Sequence, residues 1–250
     1  MISSLPGFSA LSLCIVGAGL VLAGVVKGAT GLGYASCALP FLVYAVGLKT
    51  AIAFVLVPAM ATNIAVALGN GHLVSTLQRF APLYVAMLPG IAIGVWLLGH
   101  VDTKLAVSVL GGCIIAYSAF SLVRPRILLP RAMAGALQVP VGLANGVLTG
   151  LTGSQVMPMV PYFLASDLDP KHMVQAINLG VTLASAVLLC GLAFTGLAQS
   201  EILIASTVAI APALIGVEIG QRMQRYIRAQ ALRTAILIIL AAAGAGLLLR

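Results

Sequence analysis

Residues 27–40 read KGATGLGYASCALP: a lysine, three glycines and a closing proline inside an apolar stretch. A second stretch, NGVLTGLTGSQVMPMVP at 145–161, has the same character without the charge. A helix that breaks inside a membrane exposes free N–H groups and the positive end of its dipole at the next helix start, which together suit an anion. Glycine permits the positive-φ turns such a break needs, with Gly33 and Gly153 the expected binding turns. Thr30, Thr149, Thr152, Ser154 and Gln155 add side-chain donors, and Lys27 adds one full positive charge. Asn145 stands where Lys27 would have its counterpart in the second stretch, neutral but still a donor. Gly28, Gly31, Gly146 and Gly150 serve equally well for close packing between helices. Lys27 serves equally well as an interfacial residue, its stem in lipid and its head at the surface. The hydroxyls have an alternative too, since Thr and Ser in membrane helices bond their own backbone.

These stretches lie in a chain built for lipid. Of 250 residues 61% are hydrophobic and 7% charged, where a soluble domain carries about 25% charged residues. Residues 1–26, 28–48, 50–78, 80–101, 105–123, 132–166, 173–200 and 234–249 contain no Asp, Glu, Lys or Arg. A spanning helix needs about 20 such residues. No segment shows the alternation of a transmembrane strand. The fold class is therefore an all-α polytopic membrane protein. Ten apolar segments are expected, at 9–26, 32–48, 50–70, 80–99, 104–123, 133–150, 154–166, 172–195, 201–221 and 230–249. The second and seventh are short and contain proline, as half-helices do. The opening MISSLPGFSA has no basic region, so the first segment reads as a retained helix.

The net charge of +8 does not point to nucleic acid, because the basic residues fall between apolar segments, where topology selects them. With the N-terminus outside and every segment crossing, the inner loops hold Lys27, Arg79, Arg124, Arg126, Arg131, Lys171, Arg222, Arg225, Arg228 and Arg233. The outer side holds Lys49, Lys104 and Arg250. Cys14, Cys37, Cys113 and Cys190 stand apart in apolar segments, with no metal-ligand spacing, and read as small apolar filler. No metal and no cofactor is expected.

The chain repeats itself. Gly24-x-x-Lys27-Gly28 recurs as Gly142-x-x-Asn145-Gly146, Pro40-Phe41-Leu42 as Pro161-Tyr162-Phe163-Leu164, Lys49 as Lys171, and Gly90-x-x-x-Gly94 as Gly216-x-x-x-Gly220. Two halves of five segments, 1–126 and 127–250, are expected, and an odd number of crossings inverts one relative to the other. Inverted repeats with short, Gly/Pro-broken segments at matching places are a signature of secondary transporters, whose substrate sits near the midplane. Asn63 in segment three and Gln175 and Asn178 in segment eight would line such a site or join helices. Gly90, Gly94, Gly216 and Gly220 suit internal packing or a subunit interface, which leaves a homodimer open.

Of the five acidic residues only Glu218 lies within a segment, with Arg222 one turn on. It reads as a helix-end salt pair or as a proton-coupling carboxylate. The scarcity of mid-membrane carboxylates argues against a cation as the main substrate. No GxSxG or HExxH is present, so an intramembrane enzyme is not expected.

At these motifs the chain resembles the sulfite exporter TauE/SafE family of membrane permeases. The resemblance rests on Gly28-Ala-Thr-Gly31-Leu-Gly33 running to Pro40, and on Gly146 through Gly153 running to Pro161. It rests also on Pro58-x-x-x-Thr62-Asn63, on Gln175-Ala-x-Asn178, and on the LPG and APA stretches before the GxxxG pairs. It covers residues 12–249. The chain departs from a triple-glycine cluster, since Tyr34 and Ala35 follow Gly33 and Ser154-Gln155 follow Gly153. The resemblance implies transport of sulfite, organosulfonates and related small anions across the bacterial cytoplasmic membrane; alternating access is expected from the repeats, and both termini outside from the distribution of basic residues. The partners expected are a small anionic substrate and membrane lipid. A permease for another small anion or a carboxylate metabolite, and a non-transporting scaffold, are the competing readings.

Overall fold

A computed structural model of the chain describes residues 10–68, 73–123, 128–166, 168–223 and 229–249. All secondary structure among the described residues is helical. The helices are α1 (Ala10–Thr30), α2 (Tyr34–Val46), α3 (Leu48–Leu68), α4 (Leu73–His100), α5 (Thr103–Val123) and α6 (Arg131–Ala136). There follow α7 (Gln138–Thr152), α8 (Met159–Ala165), α9 (Pro170–Phe194), α10 (Ser200–Val208), α11 (Ile210–Met223) and α12 (Ala229–Leu248). Six stretches are long and apolar enough to cross a membrane: Leu13–Thr30, Leu73–His100, Thr103–Val123, Met133–Thr152, Lys171–Phe194 and Ser200–Met223. Tyr34–Val46, Leu48–Ile64 and Thr234–Leu248 are shorter apolar helices. The chain is a multi-pass membrane protein. Large apolar side chains such as Trp96, Phe194 and Ile215 are exposed on its outside, where lipid is the solvent.

The segments expected from the sequence differ from the helices in several places: α4 begins at Leu73 and α1 continues to Thr30, so Arg79 and Lys27 lie within helices and not in the inner loops expected for them, and three further segments are interrupted. The segment at 133–150 is two helices, α6 and α7, separated at Leu137. The segment at 201–221 is likewise split at Ala209 into α10 and α11. The segment at 154–166 becomes helical only at Met159, because Gly153 at φ 74 ends α7 and residues 154–158 run irregularly behind it. Composition marks each of these as continuously apolar, and apolarity does not register a local break in hydrogen bonding.

Glycine sets how closely the helices approach. α1 runs along α11, and α4 along α7. A Cβ on Gly24 would lie 2.4 Å from the Ala213 carbonyl oxygen and 2.9 Å from Gly216 Cα. A Cβ on Gly146 would lie 2.4 Å from the Met87 carbonyl oxygen and 3.0 Å from Gly90 Cα. A Cβ on Gly94 would lie 2.8 Å from Gly150 Cα, and one on Gly220 would collide with the Val25 carbonyl oxygen. No side chain larger than hydrogen fits at these crossings. The GxxxG pairs therefore pack inside the molecule, each joining a helix of residues 1–126 to a helix of residues 127–250. A third crossing, between α5 and α12, places a Cβ on Gly111 2.7 Å from the Gly244 carbonyl oxygen.

These contacts correct the register of the repeat. Gly24 faces Gly216 as Gly146 faces Gly90, and Gly28 meets the Val217 carbonyl oxygen as Gly150 meets that of Ile91. The helix ends agree. The Gly31 amide donates to the Lys27 carbonyl at 2.7 Å, and the Gly153 amide to the Thr149 carbonyl at 2.8 Å. Lys27 is thus matched by Thr149, one helical turn beyond Asn145. The sequence alignment slipped by one turn because glycines recur every four residues along both helices, so either register pairs glycine with glycine.

Candidate functional site

The break after α1 is built from two left-handed glycines. Gly31 lies at φ 77 and Gly33 at φ 82, a backbone region that strains any residue with a Cβ. Gly33 then caps the start of α2. The break after α7 has one such glycine, Gly153, at φ 74. The threonines ahead of the breaks close their own helices. Thr30 Oγ1 donates to the Val26 carbonyl at 2.8 Å and accepts from the Leu32 amide at 3.3 Å. Thr152 Oγ1 donates to the Leu148 carbonyl at 2.6 Å and accepts from the Ser154 amide at 3.1 Å. Thr149 Oγ1 donates to the Ser154 carbonyl at 3.3 Å. All three hydroxyls thus serve the local turns, the backbone-bonding alternative open to them in the sequence.

Lys27 does not reach the surface. It is 1% exposed, and its ammonium donates to the side-chain oxygens of Asn63 on α3 and Asn178 on α9. Asn178 is fixed in turn, its Nδ2 donating to the Gly31 carbonyl at 3.1 Å and the Val174 carbonyl at 2.7 Å. Neither ion pair among the described residues includes Lys27; they join His172 to Asp169 and Arg222 to Glu218. A buried charge with only neutral acceptors is costly unless a counter-charge arrives. An ammonium has three N–H donors, and the two asparagines take two of them.

Further groups around Lys27 lack partners. Tyr34 Oη, Asn63 Nδ2 and Gln155 Oε1 are buried without a hydrogen bond. Lys27, Tyr34, Ser36, Asn63, Gln155 and Asn178 surround one small cavity of about 20 Å³, room for a single water-sized group. The two broken segments meet here: Ser36 Oγ lies 3.4 Å from Ser154 Oγ, and Gln155 Nε2 donates to Ser185 Oγ at 2.9 Å.

The structure therefore brings together Lys27, Gly33, Asn63, Ser154, Gln155 and Asn178, with Thr30, Gly31, Thr152 and Gly153 forming the turns beside them. Asn145 is not part of this cluster. Its Nδ2 donates to Met87 Sδ at 3.6 Å and to Thr149 Oγ1 at 3.5 Å, and its Oδ1 accepts from the Met159 amide at 3.4 Å. It ties α7 to α4 and α8. Gln175 is fully buried with both side-chain polar atoms unpaired, away from the cavity lining. Glu218 lies on the outside of α11, 2.8 Å from Arg222 Nε, both side chains more than half exposed.

Sequence reasoning missed Tyr34, Ser36 and Ser185 as members of the cluster. Tyr34 had a signal, since it interrupts the glycine cluster directly after Gly33 in a chain with few aromatic residues. Ser185 had none, for it looks like any serine in a membrane helix. No group of three His, Cys, Asp or Glu among the described residues could hold a metal ion.

Lys27 thus stands where two glycine-broken helices meet inside a multi-pass membrane protein. Over residues 15–247 the chain matches the family described as sulfite exporter TauE/SafE. The chain belongs to that family. Comparison with curated proteins and with solved structures found no match. Membership in the TauE/SafE family makes the chain a membrane permease for small anions, and the family is one of transporters, not of enzymes.

Proposed function

We propose that the protein is a secondary transporter of small sulfur-containing anions such as sulfite or organosulfonates. The observation that carries this reading is Lys27, buried, held by the oxygens of Asn63 and Asn178, with no carboxylate among its described partners. Lys27 is the charge partner of the anion. Tyr34 Oη and Asn63 Nδ2, which have no acceptor among the described residues, donate to its oxygens. Gly31, Gly33 and Gly153 let the backbone of the two turns approach the ligand, while Ser154, Gln155 and Asn178 complete the wall. Thr30, Thr149 and Thr152 hold the turns in shape.

The space beside Lys27 is one water in size, so a bound sulfite requires the surrounding helices to part. That requirement supports alternating access. The bodies that move are two closely packed helix pairs, α1 with α11 and α4 with α7, each joined by glycine crossings. Each pair draws one helix from residues 1–126 and one from 127–250, so the rocking bodies mix the two halves. The protein works in the bacterial cytoplasmic membrane with both termini outside, the orientation the positive-inside rule supports.

The test is sulfite flux in proteoliposomes, wild type beside Lys27→Ala, each shown folded by size-exclusion profile and helical circular dichroism. Flux that depends on Lys27 is expected. Flux indifferent to Lys27 overturns the site, and carboxylate flux in place of sulfite flux overturns the substrate. No flux of either kind from folded protein leaves a scaffold.

A further inference from the structure

A second, larger cavity adjoins the Lys27 site. It measures about 260 Å³ and lies between α1, α2, α5, α8, α9 and α12. Leu32, Gly33 and Val160 belong to the walls of both spaces, which therefore share one partition. The lining of the larger cavity contains no charged residue. Val26, Val174, Ile236, Leu237 and Leu240 supply most of its character. The Thr30 hydroxyl in its wall already serves the turn after α1. Ser121 Oγ, in the same wall, is buried without a partner.

We infer that this cavity is a subsite for the organic part of the transported anion, and that the preferred substrate is an oxyanion carrying a compact apolar group. The inference rests on the proposed anion site at Lys27. An inorganic oxyanion gains nothing from an uncharged apolar chamber, and a second charge there would be desolvated without a partner. An apolar cavity of about 150 Å³ is enough to hold benzene. The chamber here exceeds that, so a short alkyl chain or one aromatic ring fits, and the charged head reaches Lys27 across Gly33 once the helices around that smaller space part. Ser121 Oγ offers one hydrogen bond to a polar atom at the far end of the chain.

Thermal stabilisation of the purified full-length protein tests this without reference to transport. The probes are methane-, propane-, butane- and benzenesulfonate, with butyrate and benzoate as carboxylate counterparts. Each methylene moved from water into the chamber should tighten binding about four-fold, read from the ligand concentration dependence of Tm. Ser121→Leu and Val174→Phe, which fill the chamber from different helices, should weaken butanesulfonate about ten-fold more than they weaken methanesulfonate. Lys27→Met should weaken every member of the series. A chain-length series with no gradient overturns the subsite, as does equal weakening of short and long members by both filling variants, which would mark the chamber as an access path. Affinities in Lys27→Met equal to those of wild type across the whole series also overturn it, since the sulfonates would then bind elsewhere. If the gradient holds and no sulfonate crosses proteoliposomes, the transport reading fails while the subsite stands. Equal binding of sulfonate and carboxylate of one chain length assigns selectivity to the apolar body, whereas a sulfonate preference assigns part of it to the head.

Discussion

Lys27 and Asn178 lie 151 positions apart and meet in one hydrogen bond, the ammonium donating to the amide oxygen. The same amide donates through Nδ2 to the carbonyl of Gly31, the left-handed residue that ends α1. Asn178 therefore orients the charge and holds the turn beside it. Its replacement by Ala removes a hydrogen bond to a charged group inside the protein, worth about 1.5–3 kcal/mol. Asn178→Ala should raise the KM for sulfite flux by ten-fold or more. Asn63→Ala should act in the same direction, since Asn63 holds a second of the three N–H groups. KM values within two-fold of wild type for both variants would remove these amides from the site.

The α1–α11 crossing depends on hydrogen at Gly24. A methyl there would lie 2.4 Å from the Ala213 carbonyl oxygen, and the helices must part to admit it. Gly24→Ala should cost about 1–3 kcal/mol, the usual range for overpacking. Gly17, on the same helix, has nothing within 4 Å of a Cβ, and Gly17→Ala should be neutral or stabilising by up to about 1 kcal/mol. Thermal unfolding in detergent compares the two. Equal effects would mean that helix propensity, not the crossing, sets the result.

Asp169 caps α9, the helix that carries Gln175 and Asn178. Its Oδ1 accepts from the amides of Lys171 at 2.9 Å and His172 at 3.2 Å, and its Oδ2 meets the His172 ring. The side-chain bond from His172 is the main cause that holds this carboxyl below its usual range. A carboxyl lowered on folding contributes stability above its unfolded pKa and loses it as pH falls through the folded value. The loss therefore sits on the acid side of the ordinary carboxylate range. Asp169→Ala should lower Tm at neutral pH and flatten the acid limb of Tm against pH. Asp169→Asn, which still caps but does not titrate, should flatten the limb while keeping more of the neutral-pH Tm. An unchanged acid limb in both would assign the loss to other groups.

Glu218 sits on the outer face of α11 with Arg222, apart from the Lys27 cluster. Any dependence of flux on a pH gradient should survive Glu218→Gln. Uncoupled flux in that variant, with the substrate KM intact, would return the proton-coupling role to Glu218.

Several features were legible in the sequence because they follow from local composition. Charge-free runs of spanning length can only be stable in lipid, and lone basic residues between them mark the ends. Gly33 and Gly153 announce breaks because no other residue accepts those backbone angles without strain, whereas Gly31 read equally well as a packing glycine. The use of the GxxxG pairs was half legible. Their spacing implies a close crossing, but not whether the partner is another helix of the chain or a second subunit.

What the tertiary structure decided concerns partners distant in the chain. Lys27 read equally well as an interfacial residue or as a buried charge, and only the packing of α3 and α9 around α1 buries it. Its equivalence to Thr149 rather than Asn145 follows from which glycine meets which across the α1–α11 and α4–α7 crossings, and a four-residue repeat conceals that. Tyr34, Ser36 and Ser185 join the cluster through helix rotation, which hydropathy cannot register on a helix apolar all round. The sequence by itself determined that the chain must live in a membrane and break its helices at two glycine turns, because those are properties of single residues and their neighbours. The charge of the site, its unpaired donors and the apolar chamber beside it were settled only by packing, because each needs side chains from helices far apart in the chain to converge in one place.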